Sequence, residues 1–229
     1  MNRLIPHLFR SKQKVKRCVV VVGNDIDQLA QTFVEQAEKS KMHVYEVEHD
    51  PAPQNIQIEH LHSGLTKLRL NLINSAAVKD LIKQIHHAGH LIDLCVFQPD
   101  FTRLVESNPL SAQQIELQWQ NTGLSAVSIS QAMIRQMLRK GKGTLIFLGM
   151  QQNLAAENDL LSQSMFASIR ALAQSLAREF HPKGIHITYC MLPYWKSQNL
   201  EFMYSIQQVC WHVYQQPMST WTQELSLFQ

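Results

Sequence analysis

No stretch of this 229-residue sequence is rich enough in proline, serine or glycine to act as a linker. With 45% hydrophobic residues it reads as one domain able to close its own core. No apolar run approaches the length of a membrane span. The apolar piece near the start, "LIPHLF", is short and broken by Pro6 and His7, which excludes a signal-peptide core and leads to the expectation of a cytoplasmic protein. The four cysteines form no Cys-x-x-Cys pair. Cys18, Cys95 and Cys190 lie in or beside apolar runs and Cys210 in a helical pattern, the placing of buried free thiols. Acid is missing from the first seventeen residues, which hold Arg3, Arg10, Lys12, Lys14, Lys16 and Arg17. The rest keeps fifteen basic residues against all eighteen acids, a balance that argues against a nucleic-acid-binding surface on the folded body. The expected organisation is a basic tail, 1–16, ahead of a single domain, 17–229. A solvated tail is the plain reading of 1–16, and contact with anionic lipid or an acidic partner is the alternative.

What the sequence does contain is regular alternation. "CVVVVGND" is a continuous apolar run ending at a glycine, the pattern of a strand buried on both faces of a parallel sheet. In "DQLAQTFVEQAEKS" the apolar Leu29, Phe33, Val34 and Ala37 recur at helical spacing, and "HVYEVEHD" follows as a strand. The alternation continues through "KLRLNLI", the helix "AAVKDLIKQIHHAG" stopped by Gly89, and "LIDLCVFQ". A long helix then runs from Ser111 to a basic, glycine-containing turn, "RKGKG", before "TLIFLG". The helix beginning near Ser162, "GIHITYCML", a helix from Leu200 and "WTQELSLF" complete the chain. Seven strands alternating with helices predict a doubly wound, three-layer α/β sheet, with any ligand at the carboxyl ends of the strands.

From about Arg17 to Phe228 these residues resemble the short-chain dehydrogenases/reductases, a Rossmann-like family. The likeness is sharpest in "RALAQSLAREFHPKGIHI", similar to the family's helix and strand after its catalytic Tyr-x-x-x-Lys. In that family the tyrosine exchanges the carbonyl proton and the lysine lowers its pKa and holds the cofactor ribose. A serine positions the substrate oxygen, and a helix asparagine carries a water relay. Matching back from "SLARE" puts the tyrosine position on Ser162 and the lysine position on Phe166, and the serine position falls on Met150. Only the asparagine is kept, as Asn121. The cofactor loop departs too: "VGNDIDQLA" keeps only Gly23, leaves Gly23 and Asn24 as vestigial cofactor-side positions, and sets Asp25 and Asp27 where phosphates should lie, at about 1–4 kcal/mol per close charge pair. The family's Asn-Asn-Ala-Gly reads "FQPD", its Pro-Gly turn reads "LPYW" with Tyr194 where a nicotinamide needs room, and only "WKSQN" stands where a substrate lid would be inserted. Glu48, at the end of the second strand, is the one acid left to hold an adenosine ribose.

Other candidates are bland. His86, His87 and His90 have a spacing that can bind a divalent metal, but histidines also suit a helix end, and His60 and His62 in the loop "EHLHSG" join them only if the fold brings them near. Trp195, Trp211, Tyr214 and Trp221 crowd the C-terminal end as core or contact surface. The resemblance and its losses together imply a non-catalytic relative of the family, a pseudoenzyme that holds no cofactor and works as a regulatory or structural subunit. The alternative is an atypical NAD(P)-dependent oxidoreductase of carbonyls or alcohols that binds NAD weakly. The helices 111–139 and 162–180 carry more apolar residues than one sheet-facing stripe needs, so they are expected to pair in a homodimer or with a related subunit.

Overall fold

A computed structural model of the chain describes residues 16–23, 27–52, 55–99, 111–151, 160–193 and 199–227. Its elements run β1 (Lys16–Gly23), α1 (Asp27–Lys39), β2 (Met42–His49), β3 (Gln57–His62), β4 (Leu65–Leu70), α2 (Ser75–His87) and β5 (His90–Phe97). They continue through α3 (Ala112–Trp119), α4 (Ser125–Lys140), β6 (Gly143–Met150), α5 (Leu160–Phe180), β7 (Ile185–Leu192), α6 (Leu200–Gln215) and β8 (Glu224–Ser226). The strands form one sheet in the order β3-β4-β2-β1-β5-β6-β7-β8.

β1 lies inside the sheet, paired in parallel with β2 and β5, and from Cys18 to Gly23 every residue is buried. An apolar strand covered on both faces needs two layers of helix, and the chain supplies them. Val20, Val22, Cys95 and Phe147 pack with α2, α4 and α5, while Val19, Val21, Leu94 and Ile146 pack with α1 and α6. The expected three-layer α/β/α architecture is therefore present. All four cysteines are free and buried. No helix among the described residues is long and apolar enough to cross a membrane.

Two local expectations are corrected. The sheet has eight strands among the described residues, not seven, because "QIEHLH" is an antiparallel edge strand rather than a loop. All six residues of β3 are exposed, so it has no buried stripe for sequence periodicity to show. The long helix from Ser111 is also not continuous: Gln120–Leu124 widens into a π turn between α3 and α4. Its ends are as expected. Ser111 and Gln114 form a capping box, and Gly141 closes α4 in the left-handed conformation at φ 68° after Arg139 and Lys140.

The surplus of apolar residues on the two long helices is taken up inside the chain. Ile129, Met133 and Met137 on α4 and Met165, Phe166, Ile169 and Ala173 on α5 are buried, and Leu172 and Leu176 pack half-buried against the core. The exposed large apolar side chains of these helices are Ile115, Leu117, Trp119 and Leu124 near the start of the first, and Leu138 near the end of α4.

Candidate functional site

The winding of the sheet reverses between β1 and β5, and the crevice outside their carboxyl ends is where a doubly wound fold receives a ligand. Gly23 ends β1 there. Gln98 follows β5, its backbone N–H donating to the Val22 carbonyl at 2.8 Å. Gln98 is 5% exposed, and its Oε1 has no hydrogen-bond partner among the described residues. A buried amide oxygen without a donor costs about 1–3 kcal/mol and is rare in a settled core. Phe97, just before it, meets Phe147 edge to face at 6.0 Å and seals the crevice floor.

Around this crevice the positions singled out from sequence fall as follows. Met150 is the last residue of β6, half-buried, and the next residue, Gln151, donates its N–H to the Leu192 carbonyl at 2.7 Å. Ser162 and Phe166 lie in the first turns of α5, one turn apart, and are 3% and 7% exposed. Asn121 stands in the π turn, against which α5 packs. Its Oδ1 accepts from His49 Nε2 at 3.1 Å, while His49 Nδ1 accepts from the Leu72 N–H at 3.1 Å. One nitrogen accepting from a backbone amide and the other donating to an amide oxygen make His49 a neutral imidazole in a single tautomer. Asn121 is thus engaged by a buried histidine at the end of β2. Periodicity marks His49 only as a strand-end residue, so nothing in the sequence pairs it with a position 72 residues later.

Glu48 is not an open carboxylate. Its Oε2 lies 2.9 Å from Arg69 Nε and 3.4 Å from Lys67 Nζ, and Lys67 also reaches Glu46 Oε1 at 2.8 Å. This ladder across β2 and β4 pairs one of the two Glu48 carboxylate oxygens with cations of the chain's own sheet. Asn24, Asp25, Asp100, Tyr194 and residues 195–198 lie outside the described residues, as does the side chain of Asp27.

The histidines divide. His86 and His87 end α2, whereas His90 is on β5 with Nδ1 2.7 Å from the Tyr45 hydroxyl. The fold does bring His60 and His90 to opposite sides of His43: His60 Nδ1 and His43 Nε2 share the Thr66 hydroxyl at 3.2 and 2.9 Å, and the His43 and His90 rings stack at 5.0 Å. His62 instead accepts from the Gly64 N–H at 3.3 Å. Among the described residues no three His, Cys, Asp or Glu side chains are arranged to hold a metal ion. Trp211 is buried against Tyr214, and Trp221 lies on His186, so these aromatics belong to the chain's own packing; Trp195 is outside the described residues.

No protein-family model matches the chain, and no curated protein matches its sequence. Its fold is that of short-chain dehydrogenases/reductases of known structure. A short-chain dehydrogenase from Rhodopseudomonas palustris superposes with a TM-score of 0.69 at 20% identity, over 93% of this chain and 98% of that one. An NADPH-dependent reductase involved in bacilysin biosynthesis gives 0.71 at 10% identity, over 93% and 98%. The closed form of a serine dehydrogenase complexed with NADP+ gives 0.70 at 12% identity, over 91% and 94%.

Proposed function

We propose that the chain is a non-catalytic, cytoplasmic protein on the dehydrogenase/reductase fold that acts through contacts with other protein chains. The observation that carries this reading is the start of α5. Ser162 and Phe166, in the places that the resemblance gives to the proton donor and its ammonium partner, are both buried, and neither supplies a titrating proton or a positive charge at neutral pH. The engaged Asn121 and the neutralised Glu48 support it. The contact surface is the exposed apolar row at the start of the first long helix. Four of the ten large exposed hydrophobic residues described, Ile115, Leu117, Trp119 and Leu124, fall within ten residues, on the first of the two helices, 111–139 and 162–180, that the sequence marks for a homodimer or a related subunit.

A second reading is an atypical NAD(P)-dependent oxidoreductase. The unpartnered Gln98 Oε1 at the crevice favours it, since an adenine amino group is the kind of donor it lacks, and structural relatives are named as nicotinamide-nucleotide proteins. Calorimetric titration with NAD+, NADH, NADP+ and NADPH, run beside a panel of carbonyl and alcohol substrates, separates the two. No binding heat and no turnover is the expected result. Turnover that disappears on Ser162→Ala overturns the non-catalytic reading, and binding without turnover keeps it while assigning the crevice a nucleotide.

A further inference from the structure

The opposite end of the sheet carries its own concentration of charge. At the amino-terminal ends of the strands, Lys16 and Arg17 open β1, Lys41 leads into β2 ahead of His43, and His90 opens β5. These five side chains and Ser40 line a cavity of about 620 Å³ beside the β3–β4 turn, and Glu38 is the one acid in its lining among the described residues. Charge of one sign around a concave, partly enclosed space focuses the field on whatever enters it.

The lining is held in place. Arg17 Nη2 donates to the Ser40 carbonyl at 3.0 Å and Nη1 to the Tyr214 hydroxyl at 3.4 Å, with Asp93 Oδ2 at 3.7 Å. Asp93 is itself bound by Lys140, so Arg17 is positioned by that carboxylate without its charge being cancelled one for one. Lys16 and Lys41 have no carboxylate partner among the described residues. Lys41 is also the one described residue other than glycine with a positive φ, at 55°, a conformation that costs a side-chain-bearing residue about 1–2 kcal/mol. That left-handed turn ends α1, with the Lys41 N–H donating to the Glu38 carbonyl at 2.9 Å, and sets Lys41 at the cavity wall. Beside it, His43 and His90 form a flat pair, 20° between ring planes, each with one nitrogen held by a hydroxyl.

We propose that this cavity binds a phosphate-bearing anion, with Lys16, Arg17 and Lys41 as its charge partners. A guanidinium and two ammonium groups balance a multiply charged anion better than a single carboxylate, and the Ser40 and Ser63 hydroxyls add neutral donors. The volume exceeds what inorganic phosphate fills, leaving room for a compact organic group against the imidazole pair. Burial, followed by the neighbouring His90, holds His43 down to about 4, and burial and Lys16 lower His90, so both rings are neutral at physiological pH and the cations carry the attraction. The inference is independent of the carboxyl-end crevice and of whether the chain is an enzyme.

The test is calorimetry and thermal unfolding of the full chain with inorganic diphosphate, against sodium chloride at matched ionic strength. The expected result is saturable binding and a raised unfolding midpoint. The double variant Lys16→Gln/Lys41→Asn, whose asparagine tolerates the positive φ, should weaken affinity by about tenfold or more, and Lys16→Arg/Lys41→Arg should retain it. Vesicles of phosphatidic acid in phosphatidylcholine form a second arm. Vesicle binding lost in the Gln/Asn variant and competed by diphosphate identifies a lipid headgroup as the source; diphosphate binding without vesicle binding identifies a soluble phosphate compound. Either supports the site. No saturable binding beyond the chloride control overturns it, as does an affinity unchanged in the Gln/Asn variant. Lys41→Asn alone, at an exposed position, provides the same comparison should the double variant be poorly folded.

Discussion

His186 has no exposed surface: its ring lies flat on Trp221, 4.8 Å between centroids and 3° between planes, and is 3.1 Å from the Thr222 carbonyl through Nε2. Burial pushes its pKa down to about 4. Between that value and the ordinary histidine range near 6.5 it is neutral in the fold and protonated in the unfolded chain, so the unfolded state binds the extra proton. Stability is therefore full above about pH 6.5, falls as pH drops toward 4 and levels off below, with a loss of about 3 kcal/mol from this residue. His43, also lowered to about 4, adds in the same window. Urea midpoints measured across that window should fall less for His186→Phe, which keeps the flat contact, than for the parent; equal slopes would remove the assignment. Gly149 makes a second claim at this scale. Any Cβ there would overlap the buried Tyr189 hydroxyl, so Gly149→Ala is expected to cost about 1–3 kcal/mol, read as a lowered thermal midpoint.

Among the elements, α5 decides the most. It buries Ser162, Met165, Phe166, Ile169, Ala173 and Ala177 along one face. Installing the family's pair as Ser162→Tyr/Phe166→Lys would force a phenol into a serine's space and an ammonium into a phenyl's. The expected outcome is destabilisation by about 2 kcal/mol or more and no gain of turnover, since neither new side chain has room or a partner in its buried place. A variant as stable as the parent and active with a nicotinamide cofactor would show that α5 has kept a catalytic cavity. The π turn before α4 is the other deciding element. It places Asn121 against His49, and Asn121→Ala should cost about 1–2 kcal/mol in denaturant unfolding by removing that buried hydrogen bond.

For the whole molecule, the question is whether the surface at Ile115, Leu117, Trp119 and Leu124 is covered. α3 buries none of its own residues, so it contributes little to the domain's core and is free to serve a partner. Light scattering at micromolar concentration should return twice the 26.4 kDa chain mass, and Leu117→Lys, at a residue 53% exposed, should return the chain mass with unfolding midpoint unchanged. A parent that already scatters as a single chain removes homodimerisation and leaves a different subunit as the partner to seek.

The runs "CVVVVG", "LIDLCVF" and "TLIFLG" by themselves determined the buried parallel strands, and the 3.6-residue spacing of the intervening segments determined the helices. A strand buried on both faces and a helix with one apolar stripe each leave a local periodicity. That Ser162 and Phe166 carry neither a phenol nor an ammonium was also legible, because residue type needs no coordinates. What only the tertiary structure decided are pairings across long sequence separation and elements without a buried stripe. β3 exposes every residue and shows no pattern. The ion pairs of Glu48 depend on β2 lying beside β4, the His49–Asn121 hydrogen bond on the π turn, and the cationic cavity on the starts of three strands meeting at one end of the sheet. The surplus apolar residues of α4 and α5 were visible in the sequence, but whether they faced a partner or the chain's own core depended on how wide an arc the sheet covers, which is a property of packing and not of any one helix.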